Sequence, residues 1–148
     1  MRKIIVKNKK ANYNYEILDT LEAGIVLKGF EVKSIRDGKI SIQESHAKII
    51  SGELWLVNAN INRYKQDTSK SYDPIRTRKL LVSKKDLSKL IGKVQEKGLT
   101  LVPLGVYLKN KKLIKVDIGI GRGKKVHDKR ETIKRRDQDR EMRRKIGN

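Results

Sequence analysis

The last 21 residues carry only three large apolar side chains, Ile133, Met142 and Ile146, in a dense run of Lys, Arg, Asp and Glu. Such a stretch has too little surface to bury to offset the entropy of ordering it. The core must therefore come from the residues before it. Charge divides near the same place. Residues 1–120 hold 25 basic and 12 acidic residues, a net of +13, while residues 121–148 hold 12 and 5, a net of +7. We expect a folded body, at about residues 10–120, within a domain of residues 1–120. A basic tail in residues 121–148 is expected to stay disordered until it meets its partner.

A net charge of +20 on 148 residues opposes compactness through self-repulsion and calls for a polyanionic partner. Nucleic acid comes first. An anionic membrane surface would require a basic helix with a broad apolar face, which the sequence lacks. No apolar run approaches the roughly 18 residues of a membrane span. Residues 1–7 hold too short an apolar stretch for a secretory signal, so the expected place of work is the cytoplasm. Cysteine is absent, which excludes disulfides, thiolate metal sites and thiol nucleophiles. His46 and His127 alone make a histidine-built metal site or a paired-histidine nuclease a poor reading. No phosphate-cradling G-x-x-x-x-G-K-[ST] loop is present. The chain is read as a nucleic-acid-binding protein rather than an enzyme, with no cofactor and no metal.

Hydrophobic spacing places the elements. Residues 13–17 alternate like a half-buried strand, and residues 22–27 continue it past a bend at Ala23-Gly24. Residues 29–36 read as a short helix stopped near Gly38. Residues 39–43 alternate again, and residues 47–50 and 54–61 flank a hairpin turn at Ser51-Gly52. Trp55, Val57, Ala59 and Ile61 share one face, read as core packing of the lone tryptophan. A second helix is marked by Ser83 as N-cap, Asp86 three residues on, and a Val82–Leu87 staple. Leu87, Leu90, Ile91 and Val94 follow helical spacing before Gly98. Residues 99–108 and 113–120 are strands around a polar turn, and the glycine-rich residues 119–123 read as a pliable, basic exit. Residues 65–78 read as an exposed loop. The expected class is mainly β with helices: an OB-like antiparallel barrel with flanking helices and the basic C-terminal tail.

Basic clusters at residues 7–10, 76–79 and 109–115, and throughout the tail, suit phosphates, which give affinity without sequence preference. Aromatic side chains are few, so recognition of RNA shape is expected over an extended stacking platform. In the tail, Asp139 with Arg143 and Glu141 with Lys145 are acid-first pairs at i, i+4 that favour a helix. That helix gathers Arg136, Arg140, Arg143 and Arg144 close to one side. The tail is therefore expected to fold on a nucleic-acid surface. On charge and pattern alone, a ribosomal or initiation-type OB protein binding ribosomal RNA directly remains an equal reading.

Four segments, in order, resemble the bacterial small protein B family of SsrA-binding proteins. They are residues 8–11 (Asn-Lys-Lys-Ala), residues 24–36 (Gly-Ile-Val-Leu-Lys-Gly-Phe-Glu-Val-Lys-Ser-Ile-Arg), residues 73–81 (Asp-Pro-Ile-Arg-Thr-Arg-Lys-Leu-Leu) and residues 121–130 (Gly-Arg-Gly-Lys-Lys-Val-His-Asp-Lys-Arg). The resemblance spans nearly the whole chain. It implies an OB-like barrel that grips the elbow side of the tRNA-like domain of transfer-messenger RNA, the two together mimicking a charged tRNA. It implies a tail that becomes helical in the empty decoding centre and messenger channel of a stalled ribosome. The outcome is trans-translation: the ribosome is rescued and the nascent chain tagged. The implied partners are transfer-messenger RNA and the ribosome, with no membrane, and the protein is expected to act as a monomer.

The same resemblance assigns residues. Asn8, Lys9 and Lys10 match the first RNA-contact motif. Glu22, Lys33, Ser34 and Arg36 lie in or next to the second. Arg76, Arg78 and Lys79 fall in the third segment, and Arg122, Lys124 and Lys125 in the basic exit. His127, Asp128, Lys129 and Arg130 match the tail's approach to the decoding site. Asn8 and Glu22 are both expected at the surface. One departure is Gln138, which follows Asp137 where the family often has an aromatic residue.

Overall fold

The computed structural model describes residues 2–64, 72–96 and 98–124. In chain order the elements are β1 (Arg2–Lys7), α1 (Ala11–Asn14), β2 (Tyr15–Ile25), α2 (Gly29–Arg36), β3 (Ile40–Ser41), β4 (His46–Ile50), β5 (Glu53–Val57) and β6 (Asn60–Ile61). They continue with β7 (Arg78–Leu81), α3 (Lys84–Val94), β8 (Leu99–Lys109) and β9 (Leu113–Gly123). Six strands close a ring in the order β8, β4, β5, β7, β2, β9 and back to β8. Every pairing is antiparallel, and closure leaves few unpaired edges. This is the OB-like barrel the strand pattern suggested. β1 adds to β8 along residues 105–109, the half that β4 does not cover, and β3 and β6 form a separate small ladder.

Alternation drives the long strands. Val116, Ile118 and Ile120 of β9 face a core that also holds Ala23, Leu54, Leu56, Leu80 and Leu101. Each fully buried large aliphatic side chain contributes about 1.5–3 kcal/mol. α2 adds Ile35 and α3 adds Leu90, so one helix face each is absorbed by the barrel. Ser83 Oγ accepts the Asp86 amide at 3.1 Å and starts α3 where the capping pattern placed it. Ser51 (φ 51°) and Gly52 (φ 75°) make the two-residue turn between β4 and β5.

The N-terminal strand was not legible beforehand. Residues 2–7 pair with β8, so the body begins well before residue 10. At the other end β9 runs on to Gly123, beyond the expected boundary at residue 120. Two of its three glycines, Gly119 and Gly121, are packed rather than pliable, while Gly123 faces open space. A Cβ on Gly119 would meet Leu104 Cδ1 at 3.0 Å, and one on Gly121 would meet Ile17 Cδ1 at 3.2 Å. Leu104 itself is the extra residue of a bulge next to Pro103, which has no N–H for a ladder.

Other readings change locally. Residues 11–14 form the short helix α1, so Tyr13 and Asn14 precede β2 instead of opening it. Val26 and Leu27 lie past the end of β2, and of residues 39–43 only Ile40 and Ser41 pair. The run 54–61 breaks at Asn58, whose φ of 64° rotates the chain between β5 and β6. Leu54 and Leu56 therefore share the core with Ala59 and Ile61, while Trp55 and Val57 take the opposite face. Trp55 stands between Lys48 and Lys79 in register and is not the core tryptophan the pattern suggested.

Candidate nucleic-acid interface

Two clefts meet at Asn8. One, of about 410 Å³, is lined by Arg2, Lys7, Lys9, Thr20, Tyr107 and Asp117 among others. The other, of about 380 Å³, is lined by Lys10, Asn14, Gln43, Glu44, His46 and Thr100 among others. Asn8 borders both, yet it is buried, with 8% of its surface exposed, against the expectation of a surface position. The reason is the bulge. Asn8 donates its side-chain Nδ2 to Pro103 O at 2.9 Å and its backbone N–H to Leu104 O at 2.8 Å. It satisfies the carbonyls that the irregular strand leaves over and fixes where Lys9 and Lys10 emerge. Both lysines are exposed, Lys10 lying 3.9 Å from Glu44.

The basic exit arrives at the same place. The Lys124 amide donates to Asn14 O at 2.9 Å and its Nζ to Asn12 O at 2.6 Å. Arg122 is exposed on β9, opposite Glu16 of β2. The first motif and the start of the exit are thus neighbours around α1, although more than a hundred residues separate them in sequence.

Glu22 projects from the outer face of β2, as expected. It accepts from Tyr107 Oη and from Lys109 Nζ, the latter at 3.2 Å. Directly across on β9 stands Asp117, paired with Arg2, whose guanidinium lies 3.7 Å from the Tyr107 ring centre. The Tyr107 hydrogen bond, against a smaller opposing effect of burial, holds the Glu22 carboxyl below the usual range. Burial, then the bond to Glu22, pushes the Tyr107 phenol up. Glu22 is therefore an ionised acceptor with 36% of its side chain still open to a partner.

On α2, Lys33 and Arg36 are exposed, and Lys33 Nζ lies 5.5 Å over the Tyr64 ring. Ser34 does not share that face. It is fully buried, and its Oγ has no partner among the described residues, so it is not placed to touch an RNA surface.

The cluster at residues 76–79 divides. Arg78 is fully buried, which corrects its expected role as a phosphate contact. Its Nη1 donates to Ala59 O at 2.8 Å and its Nη2 to Pro74 O at 3.0 Å, while its Nε reaches Glu31 Oε2 at 2.7 Å. Arg76 also pairs with Glu31, and the Tyr72 hydroxyl lies 3.0 Å from Glu31 Oε2 and 2.9 Å from Ile61 O. Phe30 packs edge-on against Tyr72 with ring centres 4.7 Å apart. Glu31 Oε1 accepts the Lys28 amide at 2.8 Å at the start of α2. This network fixes residues 72–78 to α2. Lys79 remains at the surface, paired with Glu53 at 3.2 Å.

Sequence reasoning missed Glu31, Tyr72, Arg2 and Asp117. The Arg76-x-Arg78 spacing was one available signal, since two arginines two positions apart in an extended segment can share a face and then call for an acid. Arg2 and Asp117 are 115 residues apart and left no local trace. Lys125, His127, Asp128, Lys129, Arg130, Arg136, Arg140, Arg143 and Arg144 lie outside the described residues.

Among the described residues no group of acids and histidines is arranged to hold a metal ion, and no helix is long and apolar enough to cross a membrane. The family model described as SmpB protein matches residues 5–148. The chain belongs to the SmpB family. This SmpB-family chain is 52% identical over 147 residues to the SsrA-binding protein of Nostoc sp. (strain PCC 7120 / SAG 25.82 / UTEX 2576), covering 99% of this chain and 94% of that protein. It is 50% identical over 144 residues to the SsrA-binding protein of Ligilactobacillus salivarius (strain UCC118), covering 97% and 92%. A solved structure described as "tmRNA-SmpB: a journey to the center of the bacterial ribosome" matches with TM-score 0.67 and 49% identity, over 82% of this chain and 85% of that one.

Proposed function

We infer that this chain binds transfer-messenger RNA and brings it to stalled ribosomes in trans-translation, as an RNA-binding protein and not an enzyme. The observation that carries the inference is its 49% identity and TM-score of 0.67 to a chain described with transfer-messenger RNA in the bacterial ribosome. The chemistry of the body supports it. Lys9, Lys10, Arg122 and Lys124 surround α1 and suit the phosphates of a folded RNA. Glu22, held ionised, suits base amino groups or ribose hydroxyls, which tell RNA from a bare polyanion. Lys33 and Arg36 on α2 add phosphate contacts, and Asn8 acts by holding the Lys9–Lys10 strand end in place.

In this reading the barrel grips the elbow side of the tRNA-like domain, and the tail enters the empty decoding centre and messenger channel. His127 to Arg130 lead it in, and Arg136, Arg140, Arg143 and Arg144 line one side of a helix formed there. The work is cytoplasmic and one copy of the chain suffices. A titration of the tRNA-like domain against ribosomal RNA fragments, at two salt concentrations, tests the RNA preference. The tRNA-like domain should bind more tightly at both. Equal or tighter binding of the ribosomal fragments would favour an OB protein that reads ribosomal RNA directly.

A further inference from the structure

The 380 Å³ cleft beside the chain's exit has a chemistry unlike the basic surface around it. His46, at the start of β4, is partly buried there. Burial, with the nearby Lys48, lowers its pKa, so at neutral pH the ring is uncharged and offers one donor and one acceptor. Asn14 and Gln43 line the cleft with amides and Thr100 with a hydroxyl. These are groups for reading a hydrogen-bonding edge, whereas a phosphate would select cations. The cleft also carries one carboxylate among its described lining residues. Glu44 sits exposed at the lip, 3.9 Å from Lys10, and its carboxylate can only accept. Its volume lies in the range of sites that enclose small ligands. Among the described residues, Lys10 at the rim supplies the one cation lining it.

We propose that this cleft takes one unpaired nucleobase from a single-stranded segment of the partner RNA, with preference for a base bearing an exocyclic amino group. Lys10 holds a flanking phosphate. The amino group donates to the Glu44 carboxylate, against which uracil would set its O4. The proposal rests on the RNA-binding reading above and deepens it by naming where and how a base is read.

The probe is cytidine 5′-monophosphate, titrated into the full chain and followed by NMR on the Asn14 and Gln43 side-chain amides and the His46 ring. Uridine 5′-monophosphate and inorganic phosphate are the comparators. The cytidine nucleotide should shift these resonances, the uridine nucleotide should bind at least about threefold more weakly, and phosphate should leave them in place. His46→Ala and Gln43→Ala should each weaken cytidine nucleotide binding at least about fivefold, the size of one net hydrogen bond. Gln43 is exposed, so its variant keeps the fold and reports even if the His46 variant unfolds. Shifts produced equally by phosphate, equal binding of the two nucleotides, or undiminished binding by Gln43→Ala would overturn the proposal. The tRNA-like domain separates this from the wider reading. Failure of the wild-type chain to bind that RNA strikes the proposed function, while tight RNA binding without the nucleotide signature strikes the cleft alone.

Discussion

Arg78 donates its Nε–H to Glu31 Oε2 at 2.7 Å, with both side chains fully excluded from solvent. Two charges out of water hold each other only because every remaining donor of the guanidinium also finds an oxygen. Removing one partner strands the other. Arg78→Ala should therefore lower unfolding stability by about 3–5 kcal/mol in urea titrations. Lys79→Ala, which removes an exposed ion pair, should cost at most about 1 kcal/mol. Equal, small losses in the two variants would mean that the buried network does not hold residues 72–78 to α2.

The same network sets an acid limit. Burial would raise the Glu31 pKa, but the hydrogen bonds from Arg76, the Lys28 amide and Arg78 outweigh it and hold the carboxyl at about 2 against an ordinary 4.5. A carboxyl depressed on folding contributes its stability in full above the unfolded-state value. That contribution drains away as pH falls from 4.5 towards 2. It amounts to on the order of 3 kcal/mol. Urea midpoints taken from pH 6 down to pH ~2.5 should fall more steeply for the wild type than for Glu31→Gln. Parallel pH profiles would contradict this origin of acid sensitivity.

Asn8 and Glu22 should behave differently although both border the proposed RNA face. Asn8→Ala strips the donor from Pro103 O inside the bulge and should destabilise the fold by about 1–3 kcal/mol while weakening RNA binding. Glu22→Ala removes one acceptor of the Tyr107 hydroxyl at the barrel's outer face and should cost stability only about 0.5–1.5 kcal/mol, yet weaken binding of the tRNA-like domain by about 1–3 kcal/mol. Thermal melts beside RNA titrations make the comparison. A stable Asn8→Ala with normal RNA affinity would leave the bulge clamp without consequence.

What could be read in advance was local. The Ser51-Gly52 turn, the Ser83 cap and the apolar spacing of α3 each rest on residues a few positions apart, and they stand in the structure. The face assignment of Trp55 failed because one left-handed residue, Asn58, reverses which alternate positions point inward. β1 escaped because its residues find their partners on β8, about a hundred positions away. Arg78 read as a surface cation because its charge was visible and its acid, Glu31, lay 47 residues upstream. Asn8 was rightly singled out by its motif, but only the bulge at Pro103 explains why its side chain turns inward.

In the proposed function the labour is divided between a body that holds one RNA and a tail that reads the ribosome. β9 extends to Gly123, so a chain of residues 1–124 keeps the barrel whole, whereas a cut at residue 120 removes pairing with Tyr15, Glu16 and Ile17. The most direct measurement is peptide tagging on ribosomes stalled at a message's 3′ end, run beside titration of the tRNA-like domain. The full chain should support tagging. The 1–124 chain, and the full chain with Arg136, Arg140, Arg143 and Arg144 all replaced by alanine, should bind the tRNA-like domain nearly as tightly and tag nothing. Alanine favours helix, so loss of tagging in the four-alanine chain reports the missing charges and not a lost helix propensity. Tagging at the full rate by either altered chain, or none by the intact one, would contradict the account.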